Sequence, residues 1–358
     1  MTTIIFLDIL SVLILVHELG HFLAARKNGV RVEKFCLGFG PELLKKKNKG
    51  TEYCLSLIPL GGFVKMAGDS LEDFSGRSDE YYAKTPRERF WIIFCGPLLN
   101  YLLGFLFFWL IFFTGYPALT AKVGGLIDGF GAKEAGLQAQ DKIMAVDGKK
   151  VFSWEELQEI VQEKKEPSVV KLDISRSNKT FSVSVVIKDK QLDDVFGQRH
   201  RVGLLGITPF DEFQITRHGF LKSLSLAIDK TFALTVITYK GLWGLATGRM
   251  SMRESMTGPL GIFDITSKVA KRGLSAVMHL VAILSVSLAL FNLLPFTVLD
   301  GGHILFLALE KLRGKTLSIK AENVITKIGL TLILTLVVLV TYNDIVRLFG
   351  DRIAKILK

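Results

Sequence analysis

The apolar run from Ile4 to Ala25 holds two histidines and a glutamate in its second half, His17-Glu18-Leu19-Gly20-His21. Such a run crosses a bilayer core, which takes about 20 apolar residues. Ionisable side chains within it are costly and point to a function. On a helix, His17 and His21 project from one face as two ligands of a single metal do. Glu18 is not needed as a ligand and is free to take a proton from a water that the metal activates. These residues imply metal-assisted peptide hydrolysis within the membrane.

The 358 residues are 49% hydrophobic with a mean hydropathy of +0.37, enough for a membrane bundle and one folded extramembrane domain. The formal charge of +11 is spread between apolar spans and accompanies no nucleic-acid motif, so nucleic acid is not an expected partner. Cytoplasmic loops rich in Lys and Arg account for it. The three cysteines, Cys36, Cys54 and Cys95, have no paired spacing, which argues against a disulfide framework or a cysteine metal site. They are expected as reduced, buried hydrophobes beside the cytoplasm. No Lys or Arg precedes the first run, which is too long for a typical cleavable signal peptide. Arg26, Lys27, Arg31 and Lys34 follow it, and that asymmetry puts the N-terminus outside.

Further apolar spans run from Trp91 to Phe113, Ser275 to Leu294 and Ile325 to Val346. Residues 26–90 are polar, with Lys45-Lys46-Lys47 and Lys49 near their middle, except that Thr51 to Met66 alternates and breaks at Gly61-Gly62. That pattern predicts a hairpin or loop of strands near the membrane. Residues 117–208 form a small β-rich domain. Asp147-Gly148 is a hairpin turn between Lys142–Val146 and Lys149–Val151. Ser153 and Glu156 form a capping box for a helix to about Lys164. Val169–Ser175 and Phe181–Ile187 pair across Ser177-Asn178. Residues 217–246 are apolar but interrupted by Lys222, Asp229, Lys230 and Lys240, and read as an interfacial amphipathic helix. A crossing there would carry Asp300 to the opposite leaflet from His17, roughly 30 Å away. The fold class is thus a polytopic helical membrane protein of about four spans with a membrane-associated β-hairpin and one inserted β-rich domain. Its divisions are 1–116, 117–208, 209–273 and 274–358.

A catalytic zinc usually has three protein ligands, so a third must come from elsewhere. The best candidate is Asp300 in Asn292-Leu293-Leu294-Pro295-Phe296-Thr297-Val298-Leu299-Asp300-Gly301-Gly302. Pro295 ends the third span, and Gly301-Gly302 permits a close backbone approach. A carboxylate at membrane depth needs a cation, which the metal supplies. His303 is read as packing beside the ligands, His279 as a packed helix residue, and Gly96-Pro97 as a break in the second span.

Taken together, His17 to His21, Gly38-Phe39-Gly40-Pro41, Gly61-Gly62-Phe63-Val64-Lys65-Met66, Gly96-Pro97-Leu98-Leu99-Asn100 and Asn292 to Gly302 carry a resemblance. The sequence resembles the site-2 protease family of intramembrane zinc metalloproteases, of the bacterial RseP/RasP type. The resemblance implies one zinc per chain held by His17, His21 and Asp300, Glu18 as catalytic base, and Asn292 as a residue that holds substrate. It implies a single PDZ domain at 117–208, matched by Ala135-Gly136-Leu137, Asp141-Lys142-Ile143 and Val146-Asp147-Gly148. The best-known relatives carry two. It implies a multi-pass protein of the bacterial inner membrane, its PDZ domain outside and its active site near the cytoplasmic face. The expected substrates are membrane spans already cut by a first protease, such as anti-sigma factors or remnant signal peptides. A peptide or C-terminus is the expected PDZ ligand. Gly61, Gly62, Phe63, Val64, Lys65 and Met66 are the expected substrate clamp, acting as an edge strand. The alternative is a PDZ scaffold without catalysis, its histidines structural.

Overall fold

In the computed structural model, which describes residues 2–164, 168–193, 199–251, 256–314 and 318–356, every predicted apolar run is helical. The chain opens with α1 (Thr2–Lys27), β1 (Val32–Asn48), β2 (Thr51–Met66) and α2 (Pro86–Thr114). The inserted region comes next as β3 (Tyr116–Leu119), β4 (Val123–Leu126), α3 (Gly131–Glu134), β5 (Lys142–Val146), β6 (Lys149–Lys150) and α4 (Trp154–Gln162). It continues with β7 (Ser168–Arg176), β8 (Lys179–Asp193), β9 (Arg199–Leu204), β10 (Ile207–Pro209) and β11 (Phe213–Thr216). Last come α5 (Phe220–Ala246), α6 (Pro259–Ala270), α7 (Leu274–Asn292), α8 (Asp300–Arg313) and α9 (Ile319–Ile356). Among the described residues, four helices are long and apolar enough to cross a membrane: α1, α2, α7 and the part of α9 from Ile319 to Phe349. The chain divides into two units, one of Met1–Trp109, Ser225–Leu242 and Ser251–Lys358, the other of Leu110–Leu224 and Trp243–Met250.

In the first unit α1 is apolar all round and buries only a stripe. Ile9 and Leu13 pack with Leu280 and Val281 of α7, while Phe22, Ala24 and Ala25 pack with Ile92, Ile93 and Leu307. Ile4, Val12, Leu15 and Leu23 stay exposed, as lipid-facing side chains do. α1 meets α2 at Gly20, where an added Cβ would lie 2.2 Å from the Cys95 carbonyl oxygen. Gly96-Pro97 does not break the second span: α2 is one helix with Pro97 inside it. The pair serves packing, since Gly96 is where that helix passes closest to α1.

The strand signal at 51–66 is half of a larger sheet, because 32–48 is also extended. The lysine run and Gly38-Phe39-Gly40-Pro41 hide the alternation there. Asn48↔Thr51 to Leu44↔Leu55 closes a hairpin, residues 34–37 lie beside 52–55, and Gly62 to Met66 pairs back onto Leu37 to Val32. Residues 62–66 thereby form an outer edge that no other described strand covers. The register sets Cys36 opposite Cys54 with Cα atoms 4.6 Å apart; Cys95 is free. A pairing made by strand register leaves no signature in cysteine spacing.

The second unit holds a five-stranded sheet in the order β6-β5-β7-β8-β9 and the two ladders β10-β4 and β11-β3. Its core is an apolar cluster that includes Val123, Ile143, Trp154, Leu172 and Val185. The turns form as read: Asp147 and Gly148 have φ of 48° and 79°, Ser177 and Asn178 of 50° and 63°. Ser153 caps α4 by accepting from the Glu156 N–H at 3.2 Å, while the Glu156 carboxylate accepts from Phe152 instead of closing on Ser153 itself. Strand pairing runs past residue 208, since β11 pairs with β3. α5 is a single helix of 27 residues and is not among the four candidate spans.

Asp141 is fully buried, and Arg176 grips it with two bonds of 2.7 Å while the Gln138 N–H adds a third. Burial works to raise this carboxyl, but the Arg176 fork and the Gln138 N–H outweigh it and hold the carboxyl below its ordinary value. A depressed folded value stabilises fully above the unfolded value of about 3.9 and is lost as pH falls through the folded one. Thermal melting of the purified protein should therefore fall as pH is lowered from about 6 to about 3, and Asp141→Asn should flatten that fall. At the helix contact, Gly20→Ala should destabilise the protein by about 1–3 kcal/mol through overpacking, read as a lower melting temperature.

Candidate functional site

Two ends of the chain meet where α1 faces the first turn of α8. His17 Nε2 lies 3.1 Å from one Asp300 carboxylate oxygen and His21 Nε2 3.4 Å from the other, while the two nitrogens are 3.2 Å apart. This is the one group of three potential metal ligands among the described residues. Local chemistry fixes how the rings present themselves. His21 Nδ1 donates to the Ile92 carbonyl at 2.9 Å, which leaves the Nε2 lone pair directed at Asp300. The Asn292 amide nitrogen lies 3.5 Å from His17 Nδ1, which sets Asn292 beside the ligand ring.

Two lone-pair nitrogens and a carboxylate repel one another unless a cation lies between them. Asp300 Oδ2 is buried with no hydrogen bond. A tetrahedral zinc with ligand bonds of about 2.0–2.1 Å spaces its donors about 3.3 Å apart, and one ligand atom from each of the three residues lies within 4.8 Å of the others. The residues present therefore fit zinc, and three protein ligands leave a fourth position open for reaction.

Glycines make the convergence possible. A Cβ on Gly301 would stand 2.3 Å from the Leu293 and Leu294 carbonyl oxygens, so only glycine lets α8 begin folded back on the end of α7. A Cβ on Gly96 would stand 2.2 Å from His21 Nε2. Asp300 is the first residue of its helix, where the dipole favours a negative charge.

The site opens into a cavity of about 420 Å³. His17, Glu18, His21, Asp300 and Asn292 line it together, and Phe63, Val64 and Met66 form part of its wall. Glu18 and Val64 line the cavity together. The uncovered edge of β2 thus faces the catalytic helix. Gly62 sits behind it, where an added Cβ would lie 3.3 Å from Glu18 Cγ. Gly61 packs against Phe39 instead, and Lys65 is exposed and does not line the cavity. His303 lines the cavity; His279 packs edge-on against Phe108 at 5.4 Å.

The sequence reading did not single out Asp69, Tyr81, Tyr82, Arg89, Glu310 or Glu322, which line the same cavity. Arg89 is only 4% exposed, is ion-paired to Glu310, and lies 5.9 Å and 5.2 Å from the rings of Tyr81 and Tyr82. An arginine ahead of an apolar span reads as a topology signal, so nothing local marked it as part of a cavity. In the second unit, a smaller groove of about 80 Å³ lies between α4 and residues 203–207, lined by Trp154, Leu157, Val161, Leu205 and Ile207.

Residues 5–336 match the model of peptidase family M50. A relative in Campylobacter jejuni is 33% identical over 96% of this chain and 93% of its own length. The regulator of sigma-W protease RasP of Bacillus subtilis is 28% identical over 97% of this chain and 99% of its own. The zinc metalloprotease RasP of Bacillus licheniformis matches to the same extent, at 28% identity. A PDZ-domain crystal structure from Listeria monocytogenes aligns to 27% of this chain and 90% of its own, at 24% identity and a TM-score of 0.21. With the family matched from the first span to the last, the chain belongs to peptidase family M50 and is a zinc metalloprotease of the site-2 type.

Proposed function

We propose that this protease cuts peptide bonds inside transmembrane segments, with His17, His21 and Asp300 as ligands of one zinc and Glu18 as general base. The observation that carries the reading is the convergence of two imidazole nitrogens and one carboxylate, at 3.1–3.4 Å, beside helices of membrane-spanning length. Zinc supplies a Lewis acid for the scissile carbonyl and lowers the pKa of water from 15.7 to about 7. Glu18 lines the same cavity as both histidines, takes the proton of the attacking water and returns it to the departing amine. Asn292 keeps His17 in register and lies within reach of a bound backbone.

A helical substrate presents its peptide bonds poorly, and an unwound one must satisfy its N–H and C=O groups in lipid. The edge Gly62 to Met66 supports a solution. A substrate strand laid on it bonds to the Val64 N–H and arrives with its backbone beside Glu18. Arg26, Lys27, Arg31 and Lys34 support a cytoplasmic position for this end of α1. The inserted region is then extracytoplasmic. Its element order supports a PDZ domain over 117–208. Among the described strands β10 pairs only with β4, and its other side borders the groove beside α4, where a peptide or a new C-terminus fits. The Bacillus subtilis relative is named a regulator of sigma-W protease, which supports a substrate in sigma-factor control.

Purified protein should hold one zinc and cut a membrane-span peptide. Glu18→Gln should keep the metal and lose about 100- to 10,000-fold in rate, as removal of a general base does. His17→Ala should lose the metal, measured by zinc content. Val64→Pro removes one outward N–H from an edge strand, where proline is tolerated. It should slow cleavage while sparing zinc, and unchanged cleavage would remove the edge-strand role.

A further inference from the structure

Away from the metal ligands, the catalytic cavity is charged in one sense. Asp69, Glu310 and Glu322 line it against a single cation, Arg89. Arg89 is committed to Glu310, so two carboxylates remain. Asp69 Oδ2 accepts from the Met66 N–H at 3.0 Å, and Glu322 has a long contact of 3.5 Å from the Tyr82 hydroxyl. Lys65 acts on Asp69 from a distance without forming an ion pair. The second observation is on Arg89 itself. Its Nε is buried and has no hydrogen-bond partner among the described residues.

Asp69, Arg89 and Glu322 line the same cavity as the metal ligands and the edge strand. Asp69 is tied to the last residue of the edge strand that faces Glu18. Glu310 lies ten residues along α8 from Asp300, about 15 Å down that helix. A segment laid on residues 62–66 therefore has Asp69 at the end of its strand and Arg89 and Glu322 in the same cavity.

We propose that this arm is a specificity subsite for a lysine or arginine that flanks the substrate span on its cytoplasmic side. Glu322 and Asp69 receive the cationic side chain, and Arg89 Nε donates to a carbonyl of the adjacent unwound backbone. Spans of the inner membrane carry Lys and Arg on that flank, so the arm is complementary in charge to the residues bordering the cleaved segment. The inference rests on the intramembrane protease reading and adds the substrate class: spans with a basic cytoplasmic flank, against spans with an acidic one.

The test uses three span peptides, identical in their apolar core and flanked by Lys-Lys, Gln-Gln or Glu-Glu, with zinc-loaded protein in neutral-lipid vesicles. Wild-type kcat/KM should fall in that order, with about a tenfold gap between the lysine and glutamate flanks that narrows at high salt. Glu322→Gln should shrink the gap and Glu322→Lys should reverse it. Crosslinking of the same peptides to Glu18→Gln protein should follow the same order, which reads binding apart from turnover. Equal rates for all three flanks, or a gap that neither Glu322 variant alters, would overturn the subsite and leave the protease standing. Failure of zinc-loaded wild type to cut any of the three would instead strike the protease reading itself.

Discussion

Two imidazoles and a carboxylate face one another inside an apolar bundle, and the rest of the architecture follows from holding them there. A buried carboxylate without a partner costs several kcal/mol. At 3.1–3.4 Å the two rings stand where they can share a cation with it. Each neighbouring feature serves that spacing: the Ile92 carbonyl behind His21, the Asn292 amide behind His17, and the glycines that let α2 and α8 close in.

The same contacts join the metal ligands to a strand edge. α1 carries Glu18, Glu18 shares its cavity with Val64, and Val64 belongs to a sheet whose far end exposes Leu43, Leu44 and Leu57. A backbone edge beside the catalytic carboxylate offers an unwound span the hydrogen bonds that lipid does not. The cavity then changes character along α8, from metal ligands at Asp300 to the Arg89–Glu310 pair. Chemistry, substrate alignment and flank recognition share one hollow of about 420 Å³.

Much of this was written in the sequence where local rules suffice. The apolar runs became helices within a few residues of their expected ends, and Asp147-Gly148 and Ser177-Asn178 turned as their φ preferences require. His17 and His21 were legible because their spacing is a helical one. Asp300 was legible through the cost of its charge at membrane depth. The features that the sequence concealed depend on partners distant in the chain. β1 was hidden because its alternation is broken by Gly38, Gly40, Pro41 and the lysine run. The Cys36–Cys54 pairing follows from a strand register, not from cysteine spacing. Arg89 and Glu310 lie 221 residues apart, and neither has a sequence context that distinguishes it from a surface charge.

Zinc-edge X-ray absorption on the purified protein, beside Asp300→Ala, tests the central claim most directly. The account predicts one zinc per chain bound by two imidazole nitrogens and oxygen donors, with no sulfur. It also predicts that Asp300→Ala changes the coordination shell and weakens retention of the metal. A shell containing cysteine sulfur, or one that Asp300→Ala leaves untouched, would contradict it.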